Sequence, residues 1–155
     1  MQRVSSLVLS FVLVYAVAGL GSYFTVGAID TWYATLTKPE FNPPNWIFGP
    51  VWTILYALMA IAAWRVYQKH TNPSSRNALI LYGVHLVLNA AWSIVFFGLH
   101  APLPALGIIV VLFLSIFALT ILFYRVDKAA GLLFLPYLVW VSFASYLNLS
   151  IVLLN

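Results

Sequence analysis

The sequence predicts an all-α fold, a five-transmembrane-helix bundle with a long loop between helices 1 and 2, and three observations predict it. Of the 155 residues, 64% are hydrophobic and only 6% charged, too little polar surface to cover a soluble globule of this size. Five apolar runs, at about 5–26, 46–66, 78–98, 103–124 and 130–153, each reach the roughly 20 residues needed to cross a bilayer core of about 30 Å. The basic residues also segregate. In a five-span arrangement Arg3, Arg65, Lys69, Arg76, Arg125 and Lys128 fall on one side and only Lys38 on the other, the positive-inside pattern.

That asymmetry puts the N-terminus and the loops near 70–76 and 125–129 in the cytoplasm of a bacterial cell, with the loops 27–45 and 99–103 and the C-terminus outside. It also redirects the +4 net charge away from nucleic acid and towards a membrane surface. The five runs leave little chain over, so residues 1–155 are expected to form a single five-helix membrane domain. With no cysteine, disulfide and thiolate chemistry are excluded.

The first span begins after Arg3 and contains Ala16-Val17-Ala18, which resembles a signal-peptide cleavage site. Its apolar stretch is longer than a usual signal sequence, so a retained helix is expected. Ala16, Ala18, Gly19, Gly21 and Ser22 are small enough to let a neighbouring helix approach closely, and are read as packing residues.

The loop from Gly27 to Asn45 is the longest in the chain and carries Trp32, Tyr33, Pro39, Pro43 and Pro44. Its prolines make it stiff enough to fold over the bundle as a lid. Trp32 reads as an interfacial anchor and Tyr33 as a candidate lid residue. The stretch F-N-P-P-N-W-I-F-G-P-V-W-T-I-L-Y (41–56) then turns from polar loop into apolar helix. Pro43 and Pro44 suit a helical first turn, with Asn42 as the candidate cap.

In the second span Trp52, Tyr56 and Met59 share a face, Pro50 bends the helix near its outer end, and Trp64 beside Arg65 reads as boundary belt. In the third span His85, Asn89, Trp92 and Phe96 form one stripe. Asn89 carries a side-chain amide deep in the span, which needs a partner and therefore the bundle interior. The fourth span offers only Ser115 and Thr120 as polar side chains between Pro104 and Tyr124, and reads as a lipid-facing or subunit-facing wall. The fifth aligns Tyr137, Trp140, Ala144 and Leu147, with Asn148 beside them and Pro136 interrupting one backbone hydrogen bond below.

Apart from Arg65 at its boundary, no span contains Asp, Glu, Lys or Arg, which argues against an ion-coupled pump. His70, His85 and His100 lie in different segments without a second ligand at metal-binding spacing, so no metal is expected. No phosphate loop, nucleophile triad or carboxylate pair is present. What is left is an aromatic interior with two amides, suited to a flat, hydrophobic, partly polar ligand.

Three segments are similar to a known family. N-P-P-N-W-I-F-G-P-V-W-T-I-L-Y (42–56), L-N-A-A-W-S-I-V-F-F-G (88–98) and L-P-Y-L-V-W-V-S-F-A-S-Y-L-N (135–148) closely resemble the TspO/MBR family of tryptophan-rich sensory and translocator proteins, also called peripheral benzodiazepine receptors. The resemblance implies a five-helix membrane protein, commonly a homodimer, that needs no cofactor and binds protoporphyrin IX, other tetrapyrroles, and isoquinoline carboxamide and benzodiazepine ligands. By matching position it implies a cavity lined by Tyr33, Pro43, Trp52, Asn89, Trp92, Trp140, Ala144 and Leu147, with Asn148 adjacent. Animal members end a sterol motif on a basic residue, whereas nothing basic follows Lys128 here.

The expected function is therefore tetrapyrrole binding coupled to sensing or translocation. An alternative implied by the resemblance is an enzyme that degrades protoporphyrin IX with light and oxygen, using Trp52 and Trp140. A third is a membrane scaffold whose cavity is incidental.

Overall fold

The computed structural model describes residues 2–155; of the 1–155 unit, Met1 lies outside the described residues. The chain forms α1 (Gln2–Ile29), the single turn α2 (Trp32–Thr35), α3 (Asn45–Tyr67), α4 (Pro73–Ser93) continued by a π turn (Ile94–Gly98), α5 (Pro102–Val126) and α6 (Lys128–Leu154). Five of these are long and apolar enough to cross a membrane. Each extends a few residues past the apolar run that predicts it, because polar and basic residues at a bilayer edge remain helical while leaving the hydrocarbon.

The helix starts follow local chemistry. Asn72 caps α4 by accepting a 2.9 Å bond from the Ser74 N–H, and Pro73 takes the first-turn position, so α4 opens five residues before the expected 78. Asp127 caps α6 by accepting from the Ala130 N–H at 2.9 Å. At α3 the expectation fails: Pro44 (φ −56°, ψ 141°) occupies the cap position and Asn42 does not cap. A residue that precedes proline is pushed out of helical geometry, so the helix cannot begin until the second proline has passed.

The five long helices close a ring by their contacts, in the order α1, α3, α6, α5, α4 and back to α1. The α5–α6 side is the tightest. One extended residue, Asp127, reverses the chain, and a Cβ at Gly131 would lie 2.6 Å from Tyr124 Cα, so only glycine lets the helices meet there. α5 buries Ile109, Leu112, Ile116, Leu119 and Phe123 against α4 and α6 and exposes Val110, Leu114, Phe117 and Ile121. Its outward face is apolar along its length.

At the end of the ring that carries the basic residues, α1 is pinned to α3. Ser10 Oγ donates to Ala60 O (2.7 Å), Trp64 Nε1 to Arg3 O (3.1 Å) and Gln68 Nε2 to Ser6 Oγ (3.0 Å). Trp64 is thus a tie between helices as well as a boundary residue. The next tie is Tyr15 Oη to Thr53 O at 2.9 Å. Beyond it, towards the α2 end, the interior opens.

Candidate ligand cavity

The opening is a cavity of about 620 Å³ inside the ring at the α2 end, within the ~300–1,000 Å³ range of small-molecule sites. α1 contributes Tyr15, Ala18, Gly19, Gly21 and Ser22, the turn after it Asp30, and α2 Tyr33. α3 adds Trp46, Phe48, Trp52 and Tyr56, the α4 end Trp92, Ser93, Phe96 and Phe97, and α6 Trp140, Ala144, Leu147 and Asn148. α5 contributes nothing, because its inner face is spent on packing.

Local structure explains why so many rings arrive together. On α3, Trp52 and Tyr56 are one turn apart and stack at 5.4 Å. On α4, Trp92 stacks on Phe96 at 5.4 Å, and the π turn, closed by Leu99 N–H to Ile94 O at 2.9 Å, inserts one residue into the helical phase. A residue displaces the phase by about 100°. Phe96 and its neighbour Phe97 therefore both reach the cavity.

The polar groups are few, and several of them are engaged within the protein. Asn148 Oδ1 accepts from Trp92 Nε1 (3.1 Å) while its Nδ2 donates to Pro102 O (2.8 Å), tying α6 to α4 and α5. Beneath the cavity, Tyr56 Oη donates to Asn89 Oδ1 (2.9 Å), Asn89 Nδ2 donates to Tyr137 Oη (2.9 Å), and Tyr137 Oη lies 2.9 Å from His85 Nε2. Trp140, a cavity-lining residue, keeps its Nε1–H fully buried without an acceptor. An unpaired buried donor costs about 1–3 kcal/mol, a penalty relieved when the indole turns its N–H towards an acceptor.

The loop closes the cavity's outer side. Tyr33 is 4% exposed, packs its ring against Phe96 and Phe97, and donates to Asn42 Oδ1 at 2.9 Å. Burial raises the Tyr33 pKa and the Asn42 bond offsets part of the rise, so the phenol is neutral and holds its proton for Asn42. Lys38 Nζ sits 4.8 Å from the Tyr33 ring centroid and donates to Leu36 O. Trp32 stacks on His100 at 4.5 Å and meets Phe96 edge-on, covering the end of α4.

Of the residues expected at the site, Tyr33, Trp52, Trp92, Trp140, Ala144, Leu147 and Asn148 come together on the cavity wall. Pro43 and Asn89 do not line it: Pro43 accepts a bond from Asn42 Nδ2 in the loop, and Asn89 is 2% exposed, its amide used by two phenols. The small residues of α1 do more than pack. A Cβ on Gly21 would meet Ser93 Oγ at 3.1 Å, yet Ala18, Gly19, Gly21 and Ser22 also form a cavity wall whose smoothness the absence of large side chains supplies. Asp30, Tyr15 and Phe97 were not signalled by the stripes: Asp30 lies past a helix end and Phe97 out of helical phase, while Tyr15 shares the face of Ala18, Gly19 and Ser22, which was read as packing.

Among the described residues no three His, Asp or Glu side chains gather into a metal-holding cluster. The arrangement can hold a planar ligand between indole, phenol and phenyl faces.

A family model described as TspO/MBR family matches residues 10–154. The chain is 43% identical over 155 residues to the tryptophan-rich protein TspO of Chlorobaculum tepidum, covering 99% of this chain and 98% of that one. It is 43% identical over 154 residues to the protein of the same description from Archaeoglobus fulgidus, covering 99% of each. The human translocator protein is 36% identical over 132 residues, covering 83% of this chain and 78% of that protein.

Proposed function

The chain belongs to the TspO/MBR family, an integral membrane family with a sensory or translocator role, and from that premise we propose that its cavity binds a tetrapyrrole such as protoporphyrin IX, and carboxamide or benzodiazepine ligands in the same place. The observation that carries the reading is an aromatic-walled cavity in which Trp140 keeps a buried, unpaired Nε1–H. Trp52 and Trp140 stack on the ligand plane, Trp140 donates to a carbonyl or propionate oxygen, and the loop carrying Tyr33 and Lys38 closes over it. The whole chain works as a single membrane domain, as a homodimer that presents an apolar face such as that of α5. The basic end faces the bacterial cytoplasm and the C-terminus faces out.

The test is titration of the detergent-solubilised protein with protoporphyrin IX, read by quenching of tryptophan fluorescence. Saturable quenching is expected, weakened by about 1 kcal/mol in Trp140→Phe, which keeps a ring but removes the donor. Non-saturable quenching equal in both proteins would leave the cavity incidental.

A second reading is favoured by one observation: both cavity indoles are oxidisable groups placed where the ligand plane would lie, and Trp52 also touches Tyr56 and Tyr137. On this reading the protein degrades its porphyrin in light and oxygen. Trp52→Phe and Trp140→Phe should keep binding but lose a defined photoproduct, and an identical product at an identical rate in all three proteins would remove the enzyme reading.

A further inference from the structure

Below the cavity, five side chains form a continuous path that neither binding nor helix packing requires in this form. Trp52 lines the cavity, stacks on Tyr56 at 5.4 Å and meets Tyr137 edge-on at 6.0 Å. Each phenol continues into a hydrogen bond, but the acceptors differ. Tyr56 donates to the oxygen of the Asn89 amide, which takes no proton at ordinary pH. Tyr137 is bonded to an imidazole nitrogen, His85 Nε2.

Asn89 sets the direction of that last bond. Its oxygen is used by Tyr56, so its Nδ2 donates into Tyr137 Oη, which leaves the Tyr137 proton free to be given to His85 Nε2 at 2.9 Å. His85 Nε2 takes that proton in the tautomer whose ring proton sits on Nδ1, a buried position without a partner of its own. Among the described residues Tyr137 is the phenol hydrogen-bonded to a base; Tyr15 and Tyr33 donate to a backbone carbonyl and to an amide. The difference matters for oxidation, because a phenol that loses an electron becomes a strong acid and must release its proton at once.

We propose that Tyr137 and His85 form a proton-coupled redox pair that refills an electron hole on the cavity tryptophan Trp52. The proposal rests on the porphyrin reading for its natural oxidant, a photoexcited tetrapyrrole. That ligand takes one electron from the Trp52 indole and becomes a radical anion, leaving an indole radical cation. Tyr137 gives one electron to Trp52 and its phenolic proton to His85 Nε2, so Trp52 is restored, Tyr137 becomes a neutral phenoxyl radical and His85 an imidazolium. When the ligand anion returns its electron to Tyr137, the proton moves back from His85 and every group is restored. The relay carries the hole away from the ligand and lengthens the life of the charge-separated state. Tyr137 and His85 do not line the cavity, so they act through Trp52 as positioning and relay residues.

The experiment uses the whole protein in detergent without ligand, with an ultraviolet flash to ionise indole and transient absorption to follow indolyl and phenoxyl radicals. The indolyl signal should decay as a phenoxyl signal rises, with the rise slowed severalfold in deuterated buffer. The phenoxyl yield should fall severalfold in Tyr137→Phe and in Trp52→Phe, and the rise should slow severalfold in His85→Gln. A yield unchanged in Tyr137→Phe, or a rise insensitive both to deuterium and to His85→Gln, would overturn the pair. The isotope effect is read on the unmodified protein, so the result does not depend on the variants folding. Illumination with bound protoporphyrin IX is a separate arm that decides the ligand reading, and its failure leaves the flash result as the judge of the relay.

Discussion

Asn89 shows how one side chain joins stability to the site without touching the ligand space. It is buried, bonded to Tyr56 on α3 and Tyr137 on α6, and so holds three helices at the cavity floor. Asn89→Leu keeps the volume but strips both phenols of a partner; the expected loss is about 1–3 kcal/mol in chemical unfolding, and unchanged stability would mean that the phenols re-pair. Asp127 plays the same part at the basic end, where it is 8% exposed and bonds Arg65 at 3.0 Å and Lys69 at 3.1 Å. Burial alone would raise its pKa, but bonds from Arg65, the Ala130 N–H and Lys69, with the Arg65 charge, outweigh it and hold the carboxyl well below its usual range. Because the folded value lies below the unfolded one, this stabilisation is complete above the ordinary carboxylate range and is lost as pH falls towards the folded value. Its cations are 39% and 49% exposed, so screening keeps the contribution to about 1 kcal/mol or less. Asp127→Asn, which still caps α6, should lose that amount at neutral pH and flatten the acid side of the unfolding profile, and an unaltered profile would assign the acid sensitivity elsewhere.

At the scale of elements, the loop between α1 and α3 is held by its far neighbour. Asn155, at the end of α6, accepts from the Thr37 N–H at 2.9 Å and donates to Thr37 O at 3.0 Å, a two-bond clasp on the loop backbone. Asn155→Ala should free the Thr37 amide to exchange and speed ligand dissociation more than association, since the clasp acts on the closed form. Equal off-rates would reduce the loop to a connector. The clasp was not legible beforehand, because two residues 118 positions apart share no local pattern. The stripes on α3, α4 and α6 were legible, since an inward face repeats with the helical period. Phe97 escaped that reasoning because the π turn breaks the period on which it depends.

Over the whole molecule, the ring order sets where a cavity can exist. Small residues and side-chain ties close the α1–α3 seam at the basic end, while aromatic side chains hold it apart at the other. The segregation of six of the seven basic residues implies an orientation. Reporter fusions after Lys69 and Lys128 should report cytoplasm and a fusion after Asn155 the outside; a cytoplasmic signal at Asn155 would overturn that orientation.

Five spans, the inward stripes and the family followed from sequence alone, because a bilayer imposes length and apolarity on every crossing segment and helical spacing then sorts each segment into faces. Which faces meet was decided by tertiary structure. Asn89 and Trp92 occupy one stripe of α4, yet the first lies under the floor, satisfied by two phenols, and the second lines the wall. The small face of α1 is wall as well as packing for a similar reason: a missing side chain becomes a cavity only when large side chains across the ring keep the opposite helix from closing on it.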